Sequence, residues 1–413
     1  MGPDGFNLPS GEFSANQTVF LAIAVSATVV GHVLDPFIEI EHGCVRYRQG
    51  FERGAAGNRF LNLTSAFGER SNPLSKRIRL HGRHIQWAAE GSLIVYDAPA
   101  LHGGEALVVS PHPDDSEIAA FGWYSGHPSW VVTVTAGEQS PTDFSHIVPA
   151  TEERARWLAH LRVWDSLQIP ELGGVRRAHC LNLAFPDARL KMMHDSPAQA
   201  FKLGCESSLP REALRARNPL ARLRSGGPEC RWGDLVEEFQ WLLDTAAPSI
   251  IVCPHPLVDP SPDHVFTTLA LAEALRNGAR QPELFLLYVV HVNEVPIYPF
   301  GGAECAVSLP PWQQEEWLAD TIYSHALTPD QRNAKFFAVE AAHDLRTYAD
   351  LRPRTGGQLL TVLLRELAAF VSGMGLRPTD FLRRAPRPNE LYYVVSAQGF
   401  SELAARALRV QAV

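Results

Sequence analysis

The run LVVSPHPDDSE at residues 107–117 constrains the fold more than any other stretch of this chain: an apolar segment stops abruptly at a histidine set between two prolines, and paired aspartates follow. The plan recurs in SIIVCPHPLVDPSPDH at 249–264. There another apolar run ends in a proline-rich loop bearing His255, Asp259, Asp263 and His264, and VFTTLALAEALRN continues with helical character. Two strand–loop–helix units of this kind predict loops that converge at the carboxyl edge of one parallel sheet, the edge where open α/β sheets place ligands. Between them WVVTVTA, TEERARWLAHLRVWDSL and HCLNLAF keep up the alternation of strand and helix. The expected class is therefore α/β, a Rossmann-like parallel sheet flanked by helices.

Imidazole nitrogen and carboxylate oxygen suit zinc and similar divalent ions, and a catalytic site needs three protein ligands with one position left open. His112 and Asp115, three residues apart, reach one metal if the backbone turns between them. Pro113 favours that turn by fixing φ, and it suits the first position of the helix that SEIAAFGW suggests. With Asp115 on the metal, Asp114 is left to accept a proton as general base. A helix N-terminus explains the same Pro-Asp-Asp order without a metal, because proline and aspartate are favoured in first turns. Proline turns with solvated Asp and His explain the second loop by itself. The two loops together favour the metal site.

PHPDDSE at 111–117, TAGE at 135–138 and PDH at 262–264 resemble motifs of the PIG-L/LmbE superfamily of zinc-dependent de-N-acetylases, which remove acetyl groups from N-acetylglucosamine-type sugars and related conjugates. The resemblance spans about residues 105–345. It implies that His112, Asp115 and His264 hold zinc, that Asp114 is the general base and that Asp263 belongs to the catalytic group. Asp187 in LAFPDARL matches a ProAsp element and is expected near the substrate. The implied reaction is metal-assisted hydrolysis of an acyl amide, releasing acetate and a free amine. The expected partner is a small-molecule amino sugar or glycoconjugate, and other divalent ions accept the same ligands as zinc. An amidase acting on a non-sugar acyl conjugate would use the same residues. A degenerate, non-catalytic sugar-binding member would retain most of them.

The sequence departs from the family pattern twice. Ser116 intervenes between the paired aspartates and Glu117, where the family has Glu directly. Ser261 stands where the family's second motif begins with His, a residue thought to protonate the leaving amine or stabilise the oxyanion. A serine hydroxyl is too weakly acidic for that task near neutral pH, whereas imidazole titrates near it. His255 on the same loop and His291 after ELFLLYVV are the candidates to replace it, against the plainer reading of each as a structural histidine.

Between Phe185 and Trp232 periodicity weakens. From Lys202 to Arg231 there are seven basic residues and three acidic ones, within a chain whose net charge is −8. This insertion, 186–231, is expected to act as a lid in which Arg215, Arg217, Arg222 and Arg224 face an anionic substrate; the alternative is a solvated helix surface over REALRARNPLARLR. Residues 1–100 contain short β-like runs separated by turns and are expected to form a small antiparallel β-sandwich-like module, serving as scaffold or carbohydrate-binding surface through Tyr47 and Trp87. Residues 101–345 form the expected catalytic domain. PDQRNAKFFAVEAAHDL, which closes that domain, reads as an amphipathic helix; residues 346–413 form the expected helical and strand extension, with GGQLLTVLLRELAAFVSGM as a second amphipathic helix and LYYVVSA as a last strand.

Net acidity argues against a nucleic-acid binder that neutralises phosphates. Six scattered cysteines without a CxxC pair indicate neither a disulfide framework nor a structural zinc site, which makes a cytoplasmic enzyme with reduced thiols the expectation. TVFLAIAVSATVVGHVL at 18–34 is apolar, but Asp4 and Glu12 precede it and its Val, Ile and Thr content fits buried β-structure, so no membrane span is expected. A homo-oligomer is compatible with this composition.

Overall fold

In the computed structural model the description covers residues 2–411 except 3, 9–12, 14–16, 68–76, 102, 140–147, 149, 205–210, 226, 228, 279–280, 293–297, 312–318 and 346–383 save for 364 and 367. The expected amphipathic helix at 356–374 therefore lies outside the described residues, save for Leu364 and Leu367.

The first part of the chain folds as two antiparallel sheets. β1 (Gly5–Asn7), β6 (Arg77–Arg83), β3 (Phe37–His42) and β4 (Val45–Gly50) make one, in that order; β5 (Ala56–Asn62), β2 (Thr18–Ala27) and β7 (Ile85–Tyr96) make the other. Alternation along β2 explains how this sandwich is held. Val19, Leu21 and Ile23 join Ile38, Ile40, Leu61, Ile78 and Leu80 in the inner core, whereas Phe20 points the other way and packs with Phe60 into the core of the main domain. The apolar run at 18–34 is thus a buried strand followed by a short 3₁₀ turn, and no described helix is long and apolar enough to cross a membrane.

The main sheet has seven strands in the order β10 (Cys180–Phe185), β9 (Ser129–Thr135), β8 (Ala106–Ser110), β11 (Ile250–Pro254), β12 (Leu284–Tyr288), β14 (Asn389–Ser396) and β13 (Thr321–Ala326). Pairing is parallel from β10 to β12 and antiparallel around β14. Every residue of β8, β9, β10 and β11 is buried, as expected of parallel strands covered on both faces. Leu107, Val109, Val132 and Leu183 face α6 (Trp232–Ala246), α7 (Pro262–Asn277) and α9 (Ala397–Gln411). Val108, Val131 and Val252 face α2 (Phe121–Gly126) and α8 (Pro329–Ala341). The remaining helices among the described residues are α1 (Asp115–Ala119), α3 (Thr151–Gln168), α4 (Leu190–Asp195) and α5 (Arg211–Arg215).

Chain direction reverses its march across the sheet at β8: β9 and β10 add on one side, β11 and β12 on the other. Such a switch point leaves a crevice at the carboxyl ends of the two central strands. Both histidine-bearing loops open there.

Candidate metal and catalytic centre

The loop after β8 is pinned before any functional group is placed. Thr135 at the end of β9 donates both its N–H and its hydroxyl to the Pro111 carbonyl, at 3.0 and 2.9 Å, and Ser110 Oγ donates to the His112 carbonyl. α1 begins at Asp115, so Pro113 precedes the cap instead of opening the helix. Asp114 occupies the cap position without making a side-chain capping bond. Its Oδ2 lies 3.2 Å from Arg162 Nη2, a guanidinium only 4% exposed on α3 that also donates to the Gly137 carbonyl at 3.1 Å. Gly137 adopts φ +67°, and a Cβ there would stand 2.8 Å from Arg162 and 2.9 Å from Pro113, so this turn of the TAGE run excludes larger residues.

Asp115 turns back, its Oδ2 accepting from the His112 N–H at 2.8 Å. The same oxygen lies 3.2 Å from His112 Nδ1 and 3.2 Å from His264 Nε2, and the two nitrogens are 3.3 Å apart. A tetrahedral zinc with ligands at roughly 2.0–2.1 Å has edges of roughly 3.3–3.4 Å between them. Three ligand atoms with these edges fit that ion. Without a cation or shared proton, two imidazole lone pairs and a carboxylate oxygen held this close repel one another.

Each histidine is oriented from behind by carboxylate. Asp259 Oδ2 takes His264 Nδ1 at 2.9 Å, leaving Nε2 for the triangle. Asp187 Oδ1 at 3.3 Å and Asp263 Oδ2 at 3.5 Å flank His112 Nε2, leaving Nδ1. Carboxylate–histidine pairs of this kind fix the tautomer of metal-binding rings. The carboxylates are themselves tied down by main chain. Asp259 accepts from the N–H groups of Val290, His291 and Ser261; Asp263 from Ala188 and Leu190; Asp187 from Gln139. A second set of groups able to hold a metal, His112 with Asp187 and Asp263, shares the same ring and is the reverse side of this arrangement.

Electrostatics follow from the crowding. Burial opposes charge on both rings, but Asp115 and its neighbours outweigh it, raising His112 well above the ordinary imidazole range and His264 to about 10. Burial likewise opposes ionisation of Asp115, and the two histidines override it to hold the carboxyl well below its usual range; Asp187 falls to about 2 by its bond to His112. The pocket thus has a strong preference for positive charge. Glu138 beside it behaves oppositely. Burial, reinforced by Asp187, pushes it up to about 8, and its Oε1 accepts from the N–H groups of Asp187 and Gly204.

The other expected site residues fall in different surroundings. His255 is fully buried, accepts from the Leu257 N–H through Nδ1 and meets the Tyr393 ring edge-on at 4.8 Å. His291 is exposed, with its ring 5.3 Å from that of His264. Ser261 precedes α7 and makes no side-chain cap. Ser116 donates to Glu117, which is buried against the Tyr124 hydroxyl and raised to about 7 by burial. Arg215 is buried, bonded to Glu238 at 2.5 Å and to the carbonyls of Leu223 and Leu183. Arg217, Arg222 and Arg224 are exposed; Arg222 stacks over Trp241, and Arg224 reaches the Pro219 carbonyl. The four arginines therefore do not share one environment.

Sequence reasoning assigned no role to Asp259 or Arg162. Asp259 had a local signal, since it shares the loop of His264 and lies five residues before it. Arg162 had only the weak one of a lone cation among Leu158, Ala159 and Val163 on the buried face of α3.

Residues 107–275, the stretch that carries both loops, match the family model PIG-L, described as GlcNAc-PI de-N-acetylase. The match supports metal-dependent deacetylase activity. Similar solved structures include N,N'-diacetylchitobiose deacetylase from Pyrococcus horikoshii in complex with its inhibitor MPG, at 16% identity over 71% of this chain and 84% of that one, with a TM-score of 0.36. The zinc-inhibited form of teicoplanin deacetylase Orf2 aligns at 17% identity over 71% and 98%, with a TM-score of 0.35. GalB, the 4-carboxy-2-hydroxymuconate hydratase of Pseudomonas putida, aligns at 14% identity over 71% and 95%, with a TM-score of 0.37. No curated protein matches the chain.

Proposed function

We propose that this chain removes an N-acetyl group from an amino-sugar-containing small molecule, releasing acetate and a free amine, with zinc or a similar divalent ion held by His112, Asp115 and His264. The observation that carries the reading is the ligand triangle with 3.2–3.3 Å edges, each ring backed by carboxylate and a further aspartate alongside. Such an ion, when bound, supplies Lewis acidity to the acyl oxygen and to water.

The chain's own residues account for the rest. Asp114, outside the triangle, takes the proton of the attacking water, and Arg162 fixes the carboxylate in place for that transfer. Asp187 and Asp263 hold His112 in one tautomer, and Asp259 does the same for His264. An amine leaves poorly unless protonated. With Ser261 unable to donate, His291 at the exposed rim is the imidazole placed to protonate it, while His255 serves the packing against Tyr393.

Metal analysis combined with acetate release over a panel of free, nucleotide-linked and lipid-linked N-acetyl sugars tests this. One equivalent of metal and turnover on at least one member are expected. Metal retained without turnover on any sugar overturns the reading, and acid release only from a non-sugar acyl amide replaces it with the amidase alternative. Ser261→His sharpens the outcome: a strong rise in rate means that the donor position was vacant, no change that it is already served.

A further inference from the structure

A cleft lies at the carboxyl edge of the main sheet, lined in part by Ile118, Val289, Val290 and Leu391. Its walls grow from the segments that carry the centre. Ile118 and Ala119 follow Asp115 on α1, while Val289 and Val290 precede His291, and the Val290 N–H donates to Asp259 at 2.9 Å. Leu391 and Tyr393 of β14 close the far side.

Most polar groups on these walls are engaged with the protein, among them Arg384, which donates through Nη1 to the Tyr298 carbonyl, and Asn389, which donates to the Val307 carbonyl. Lys335 bonds Glu390 at 2.6 Å, and that carboxylate also accepts from the N–H groups of Gly122 and Trp123 and from the Tyr392 hydroxyl. Arg387 donates to the carbonyls of Pro299, Phe300, Gly301, Arg384 and Cys305. The hydroxyl of Tyr288 donates to the Val109 carbonyl, and that of Tyr298 to the Ser308 carbonyl. A hydroxyl or charge entering the cleft would lose water and gain little in exchange, whereas a hydrocarbon gains simply by leaving water.

We propose that this cleft takes an aliphatic chain carried by the substrate, either as an acyl group longer than acetyl or as an alkyl aglycone on the sugar. The inference rests on the deacylase reading of the centre. Each methylene seated there strengthens binding about four-fold.

Two probe series separate the sources: N-acetyl-, N-butanoyl- and N-hexanoylglucosamine for the acyl group, and the methyl, butyl and hexyl glycosides of N-acetylglucosamine for the aglycone. In one series kcat/KM is expected to rise at least ten-fold from shortest to longest member. Val289→Phe, which fills the cleft, should abolish that rise while leaving the acetyl or methyl member unchanged, with Ile118→Phe as a second variant should the first not fold. Turnover that is flat along both series, or a rise untouched by both variants, overturns the cleft and leaves the deacylase reading standing. Should no member turn over, Kd values of both series measured by calorimetry decide: tightening with chain length that Val289→Phe removes upholds the cleft, and binding independent of chain length, or none, overturns it.

Discussion

The two loops at the switch point are built from the same residue types and use them in opposite ways. In the loop after β8, Asp114 makes no capping bond and Asp115 directs Oδ2 at two imidazoles, so its carboxylates face the reacting space. In the loop after β11, Asp259 and Asp263 accept main-chain N–H groups from Val290, His291, Ala188 and Leu190, and each holds a ring from behind. A carboxylate that takes two or more main-chain donors is held as framework; one whose oxygens point at imidazole or guanidinium groups is placed for chemistry. The first loop is thus the reactive half and the second the supporting half.

The largest effect should come from the reactive half. Asp114→Asn should lower kcat by about 10²–10⁴-fold while metal content stays unchanged, since it removes a base and no ligand; loss of metal along with activity would move Asp114 into the coordination shell. His291→Gln should cost about 10²-fold in kcat with little change in KM, whereas His255→Gln should lower Tm first. In the supporting half, Asp259→Asn should weaken metal affinity about 10–100-fold, read by competition with a chelator. A rate defect at saturating metal would instead make Asp259 part of the reactive group. Asp263→Asn leaves one of the Ala188 and Leu190 N–H groups without an acceptor and should destabilise the fold by about 1–3 kcal/mol in denaturant titration.

The last effect concerns pH. Glu138 is pushed from an ordinary 4.5 to about 8, so the folded state holds its proton more tightly than the unfolded chain. That stabilisation is complete below about pH 4.5 and disappears as pH rises through about 8. Wild-type Tm should therefore decline across this window more than that of Glu138→Gln, by an amount corresponding to about 5 kcal/mol at most. Parallel Tm curves would show that Glu138 ionises normally.

Much of this was legible because it is local. Apolar runs ending at His-Pro and followed by helical patterns specify βα units, and the proximity of His112 to Asp115 lies within four residues. Convergence with His264 needed only the rule that parallel strands share a carboxyl edge. What escaped depends on long-range packing. Arg162 belongs to a helix whose sequence gives no hint that one of its cations meets Asp114, and Arg215 and Arg217, two residues apart, differ in burial because α5 is short and turns one inward to Glu238. Nor does composition show that Asp263, next to His264, spends its oxygens on the turn at 188–190. The helix of SEIAAFGW breaks at Ala120 into two short pieces, where Glu390 from β14 captures the N–H groups of Gly122 and Trp123.

The position of β14 between β12 and β13 bears on how the molecule is made. Until residues 389–396 leave the ribosome, β12 presents a row of unpaired N–H and C=O groups, and β13 has no neighbour in the main sheet. Glu390 also arrives only then to anchor Lys335 and the start of α2. The nascent chain therefore carries an open, apolar sheet edge from the emergence of β12 until that of β14, the kind of surface that chaperones shield and that recruits a second unfinished chain when they do not.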